Sequence, residues 1–207
     1  MSDEVDKSRR HFLTAATAGM GAVGTVFVAV PFIQSWAPSA RAKALGAPVD
    51  VDIGKLEPGA MMTILWRGSP VYIVHRTKEM LDQLARNNAN LRDPGSEESD
   101  QPQYAKNEAR ARKPEYLVLV GTCTHLGCLP KNRFEPGTVD IAVAGGWPGG
   151  FFCPCHGSKF DLAGRVFKDV PAPLNLRVPP YTFRDDATLV VGLDQLEIKS
   201  GDDKGVA

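Results

Sequence analysis

All four cysteines of this 207-residue chain, and two of its four histidines, lie in two short stretches, GTCTHLGC at Gly121 to Cys128 and FCPCHGSKF at Phe152 to Phe160. Thiol and imidazole concentrated in this way point to one site built from two loops. Cys123-x-His125 and Cys153-x-x-His156 each offer one thiolate and one imidazole, and Cys128 and Cys155 are left over, one per stretch. Iron–sulfur clusters normally take four thiolates, but a [2Fe-2S] centre in which two histidines replace two cysteines on one iron takes this donor set, at a raised potential. The leftover thiols would then suit a disulfide between the loops, provided the compartment is oxidising. A structural Cys2His2 zinc site uses the same donor types in a tetrahedron, and two plain disulfides would leave His125 and His156 without a role. Gly121, Gly127 and Gly157 beside the donors favour the cluster, because tight turns there can aim backbone N–H groups at sulfur.

The N-terminus supplies the compartment. Ser8-Arg9-Arg10-His11-Phe12-Leu13 looks like a twin-arginine export signal, an address used for cargo exported already folded. From Phe12 to Ile33 no side chain is charged. At about 1.5 Å per residue such a run covers the roughly 30 Å hydrocarbon core of a bilayer, and it exceeds the apolar stretch of about 7 to 15 residues usual in a removed signal. Residues 12–34 are therefore predicted to be a retained single-span anchor in a bacterial inner membrane, with residues 1–11 cytoplasmic and the bulk of the chain periplasmic. Ala42-Lys43-Ala44 resembles a cleavage site, which keeps a processed soluble form as the alternative. Lys7, Arg9 and Arg10 precede the span, although Arg41 and Lys43 beyond it weaken the charge asymmetry. Trp36 just past the span reads as an interfacial anchor, and residues 35–48, small and proline-punctuated, read as a flexible tether.

Residues 49–207 are predicted to be one loop-rich, mostly β domain. Met61 to Arg67 and Val71 to Arg76 flank Gly68-Ser69-Pro70 as a hairpin with both strands in the core, and Thr77 caps a short helix through about Asn88. Tyr116 to Val120 is a buried strand leading into the first cysteine stretch. Leu174 to Val178, Tyr181 to Arg184 and Thr188 to Gly192 read as short strands. Leu91 to Pro114 is polar and turn-rich, and its composition predicts a solvated insertion. Trp66 reads as core, and His75 as a satisfied or surface histidine. No internal repeat of fixed period stands out. With 24 basic and 24 acidic side chains the net charge is zero, which argues against a nucleic-acid partner.

Cys123-Thr124-His125-Leu126-Gly127-Cys128 and Cys153-Pro154-Cys155-His156-Gly157-Ser158 resemble the two cluster-binding boxes of Rieske iron–sulfur proteins, in the form found in the cytochrome bc1 complex, quinol:cytochrome c oxidoreductase. The resemblance extends to the twin-arginine anchor, the small-residue tether, and Pro171-Ala172-Pro173-Leu174-Asn175-Leu176, which is similar to the family's proline loop over the cluster. It implies an antiparallel β domain with a small cluster-binding subdomain at about 121–173. It further implies that Cys123 and Cys153 hold the inner iron, that His125 and His156 hold the outer one, and that Cys128 bonds Cys155. Ser158 would donate its hydroxyl to a cluster sulfide, and Leu126 would sit at the docking surface.

The implied activity is that of a subunit of a proton-translocating enzyme, dimeric as a complex. One electron would pass from quinol at cytochrome b to cytochrome c1, with the imidazole of His156 contacting quinol and taking its proton. Three departures stand out. Phe160 replaces a tyrosine whose hydroxyl bonds a ligand sulfur in high-potential members, so a lower potential is expected. The 129–152 loop is longer than in the mitochondrial type. Val170 replaces a glycine, with no consequence to assign. Two other readings share the donors: the Rieske subunit of a periplasmic molybdenum oxidase of the arsenite oxidase kind, and a zinc-stabilised, membrane-tethered binding module.

Overall fold

The computed structural model describes residues 6–138 and 140–194, in two compact units divided along the chain between Ala44 and Leu45. The first five residues of the expected cytoplasmic N-terminus, and residues 195–207 at the end of the expected soluble domain, lie outside the described residues.

In the first unit a 29-residue helix, α1 (Lys7–Ser35), starts ahead of the uncharged run because Asp6 caps it, its carboxylate accepting the amides of Ser8 and Arg9. It buries no residue, and by length and composition it can cross a membrane. The 35–48 segment, expected to be a flexible tether, contains a six-residue helix, α2 (Ala40–Leu45), in which the Ser39 hydroxyl accepts the amide of Ala42. Alternating alanines give the segment its helix propensity, but α2 buries nothing, and so short a helix without packing is marginal in water.

Among the described residues, the second unit holds three antiparallel three-stranded sheets. The strands β2 (Met61–Trp66), β3 (Ser69–His75) and β4 (Tyr116–Val120) form one in that order. The hairpin turns at Arg67-Gly68, with Trp66 paired to Ser69 and positive φ values of 52° and 74° in the turn. This two-residue turn with both residues left-handed matches the twist of the strands, so Ser69 and Pro70 belong to β3 and not to the turn as predicted. In central β3, Val71 to Val74 are all buried, whereas β2 exposes Leu65 and is only partly core. Trp66 is buried as expected, and His75 is satisfied, its Nδ1 lying 2.6 Å from the Leu56 carbonyl.

The second sheet joins β1 (Val49–Asp52), β9 (Thr188–Val191) and β8 (Tyr181–Phe183). The third, β5 (Lys131–Arg133), β6 (Gly150–Phe152) and β7 (Lys159–Phe160), frames the second cysteine stretch. Between β3 and β4, helix α3 (Lys78–Arg86) is capped by the Thr77 hydroxyl, as expected, and packs Leu84 inward.

Two further expectations fail. Leu174 to Val178 is not a ladder strand, because its amides bond to loops: Leu176 to the Gly164 carbonyl and Val178 to that of Asp100. The 91–114 segment is not a solvated insertion, since Leu91, Asp93, Ser96, Ala105, Arg110 and Ala111 are all buried in it.

Candidate metal centre

The buried strand β4 delivers the chain into the first box at Gly121, where a Cβ would collide with the ring of Tyr72. The two boxes then fold alike. In the first, Cys123 N donates to Cys128 O (2.7 Å), Gly127 N donates to Cys123 O (2.9 Å), and Gly127 has φ +80°. In the second, Cys153 N donates to Ser158 O (2.8 Å), Gly157 N donates to Cys153 O (2.9 Å), and Gly157 has φ +76°. A cysteine, a glycine four residues on and a closing carbonyl one further thus make the same loop twice. Only the Cys-x-x-x-Gly spacing shared by the boxes signals this repeat in the sequence. A residue other than glycine would be strained in that left-handed position.

The duplication sorts the predicted donors. Cys123 and Cys153 are buried free thiols, 3% and 2% exposed. Cys128 and Cys155 form the disulfide, with Cα atoms 6.7 Å apart. The rings of His125 and His156 meet edge to face with centroids 4.9 Å apart, His125 half-buried and His156 exposed. Two buried thiols and two more exposed imidazoles are the donor set that an iron pair with unlike ligands needs. The sulfurs of Cys128, Cys153 and Cys155 also lie within 4.8 Å of one another, but two of them are spent in the disulfide. The usable donors are therefore Cys123, Cys153, His125 and His156, and they fit the [2Fe-2S] ligand set. Burial pushes the Cys123 thiol up and contact with Cys153 adds to this, while the His125 amide and the Ser158 hydroxyl pull it down. A thiol so placed becomes thiolate when a metal ion takes the proton's place.

Around the donors, Ser158 is fully buried and its Oγ accepts the amide of Ala172 at 3.1 Å, which leaves its proton available. Leu126, next to His125 in the chain, is 71% exposed. Phe160 is fully buried, in the same apolar cluster as Cys123 and Cys153. Residues of the long 129–152 loop pack inward, with Ile141 and Trp147 buried and the Trp147 indole donating to the Arg133 carbonyl. Sequence reasoning missed Thr124, whose hydroxyl donates to the Leu174 carbonyl at 2.6 Å and ties the first box to the proline loop. It also missed the floor of the second box. There the fully buried pair Asp161–Arg165 is closed by Nη2 to Oδ2 at 2.7 Å and Nε to Oδ2 at 2.8 Å. Arg76 and Arg110 donate to the carbonyls of Leu162 and Ala163 in the same loop. Burial lowers both of these arginines to about 10, so they remain cations at neutral pH.

Two family models match: "Ubiquitinol-cytochrome C reductase Fe-S subunit TAT signal" over residues 1–39, and "Rieske [2Fe-2S] domain" over residues 103–181. The ubiquinol-cytochrome c reductase iron-sulfur subunit of Allochromatium vinosum is 55% identical over 191 residues, 92% of this chain and 91% of the relative. That of Blastochloris viridis is 43% identical over 92% of this chain and 96% of the relative. The mitochondrial Rieske subunit of the Candida albicans cytochrome b-c1 complex is 38% identical over 92% of this chain and 79% of the relative. A solved chain from a hyperthermophilic respiratory Complex III aligns with TM-score 0.45 and 23% identity over 85% of this chain and 98% of its own length, too distant to add to the argument. Identity sustained over nine-tenths of both chains means that the chain belongs to the family of ubiquinol-cytochrome c reductase iron-sulfur subunits and carries a Rieske [2Fe-2S] domain.

Proposed function

We propose that this chain is the mobile electron carrier of a quinol:cytochrome c oxidoreductase, working between cytochrome b and cytochrome c1. Cys123 and Cys153 hold the inner iron of a [2Fe-2S] cluster and His125 and His156 the outer, and the bound cluster supplies a one-electron store. The remaining chemistry belongs to the chain. His156, exposed at the tip, offers the ring nitrogen that is not engaged with metal as acceptor for the quinol hydroxyl and holder of its proton. Leu126, exposed and next to His125 in the chain, is the apolar contact that excludes water from the docking surface. The Cys128–Cys155 disulfide ties the two loops so that both imidazoles stay at one face.

Residues 12–34 anchor the chain in the inner membrane of a bacterium, residues 1–11 stay on the cytoplasmic side, and the domain beginning at residue 49 works in the periplasm, where the disulfide persists. The 35–48 tether gives the head its reach between partners within a dimeric complex, and an unpacked helix as short as α2 offers little resistance to that motion.

The pairing of two buried thiols with two solvent-side imidazoles carries this reading. Metal analysis and electron paramagnetic resonance of the dithionite-reduced, membrane-extracted protein test it. Iron with acid-labile sulfide and a rhombic Rieske-type signal are expected. Zinc without iron would establish the tethered binding module instead.

Phe160→Tyr probes the tuning. A hydroxyl at this buried position needs a partner, and in the proposed arrangement a ligand sulfur is that partner. A hydrogen bond stronger by about 1 kcal/mol in the reduced state raises a one-electron potential by roughly 40 mV. Redox titration should show a rise of that order, and an unchanged potential in a folded variant would remove the tuning role.

A further inference from the structure

The proline loop over the second box is gripped from behind by the segment that the sequence presented as a solvated insertion. Asn175, 1% exposed, has all its side-chain groups engaged. Its Oδ1 accepts the amide of Val166 at 2.8 Å, and its Nδ2 donates to the Asp93 carbonyl and to Ser96 Oγ, both at 2.9 Å. Its backbone N–H donates to Ser99 Oγ at 3.1 Å, and that hydroxyl in turn donates to Asp93 Oδ2 at 2.8 Å. From the same segment Arg92 reaches the carbonyls of Val170 (3.3 Å) and Pro173 (3.5 Å).

The receptor is itself built at a cost. Ser96 is fully buried with φ +54°, a left-handed conformation that costs a non-glycine residue energy and persists only where its surroundings enforce it. Gln101 holds the Ser96 carbonyl at 2.6 Å, and the carboxylate of Asp93 accepts the amides of Glu97 and Glu98. Partial burial works to raise the Asp93 carboxyl, but the Ser99 hydroxyl, these two amides and the charge of Arg110 outweigh it and hold the group below the usual carboxylate range. Asp93 is thus a fixed anion at neutral pH.

From these contacts we infer that Asn175, seated on Asp93, Ser96 and Ser99, is a positioning residue for the centre. It fixes the height of the proline loop, and through the Ala172 N–H that donates to Ser158 Oγ it fixes the direction of the Ser158 hydroxyl. Hydrogen bonds to cluster sulfur raise an iron–sulfur potential, so the 92–99 segment tunes a centre that it does not touch. The inference rests on the Rieske reading for its redox consequence and on the hydrogen bonds alone for its structural one.

Hydrogen–deuterium exchange and redox titration on the full-length, cluster-loaded protein in detergent test it, with Asn175→Ala and Ser96→Gly. The glycine relieves the left-handed backbone while deleting the hydroxyl, so it keeps the test open if the first variant does not fold. In Asn175→Ala, exchange in the peptide covering residues 168–177 should accelerate at least tenfold, in Ser96→Gly severalfold, with the β3 peptide unchanged and the potential lowered in both. Unchanged exchange in a folded Asn175→Ala or in Ser96→Gly overturns the grip. Exchange accelerated equally in β3, or an unmoved potential despite a loosened loop, overturns the positioning role. Failure of the Rieske reading itself would show separately, as a missing rhombic signal in the unsubstituted protein.

Discussion

Cys153→Ser should yield a folded chain that retains the Cys128–Cys155 disulfide and contains no iron. The substitution is nearly isosteric at a site 2% exposed, and the second-box loop is closed by backbone bonds, Cys153 N to Ser158 O and Gly157 N to Cys153 O, which serine preserves. The lost thiolate leaves an incomplete ligand set, because the thiols of Cys128 and Cys155 are spent in the disulfide. A buried hydroxyl without a partner costs about 1–3 kcal/mol, which is a tolerable loss for a domain with a core of this kind. The contrasting variant replaces both Cys128 and Cys155 by serine. It keeps every proposed iron ligand but opens a link across a sequence separation of 27 residues. Chain entropy places the cost of that at about 3–4 kcal/mol. Iron content per chain and denaturant unfolding separate the two, since the first variant should lose iron with modest change in stability and the second should lose stability first. Full iron with an unaltered resonance signal in Cys153→Ser would refute its assignment as a ligand.

Asp161→Ala should be among the most destabilising single changes in the soluble domain, by about 3–5 kcal/mol. Asp161 Oδ1 accepts the amides of Ala163 (2.9 Å) and Arg165 (2.8 Å), and Oδ2 closes the ion pair with the Arg165 guanidinium. Arg165 is fully buried, and Arg76 and Arg110 converge on the same loop. Without the carboxylate, buried positive charge is left with carbonyl oxygens but no counter-ion against Arg165, and the cost of that desolvation is no longer offset. Asp161→Asn keeps an acceptor for the two amides and should fall between. Replacing Asp161 and Arg165 together by leucine and methionine should recover much of the loss, since an apolar pair in place of a buried ion pair is often neutral. Urea unfolding of the three variants measures this order, and an Asp161→Ala protein within 1 kcal/mol of the parent would refute it. Because the loop ends at Val166, whose amide holds Asn175, the same change should loosen the proline loop before the sheets melt.

The features legible in the sequence share one property, which is that their causes are local. A cysteine and a glycine four residues on close each box by backbone bonds inside a six-residue window. The β2–β3 hairpin and the Thr77-capped helix follow from a few adjacent residues, although the turn is Arg67-Gly68 and not Gly68-Ser69-Pro70, because proline tolerates the start of a strand. The uncharged run from Phe12 declares an apolar surface that water would not tolerate, and α1 exposes it along its whole length.

The 91–114 segment failed to declare itself for the opposite reason. Its Asp, Ser, Asn and Arg side chains have the composition of a solvated loop, and composition measures the cost of burial without showing the partners that offset it. Those partners are remote: Asp93 meets Asn175 82 residues later, and Arg110 meets Ala163 53 residues later. The sequence by itself determined the donor chemistry, the two loop turns and the membrane-length helix, because short-range geometry and ligand preference suffice for each. Only the tertiary structure decided how the two histidine rings are brought together and what supports the proline loop, because each depends on contacts made across the fold.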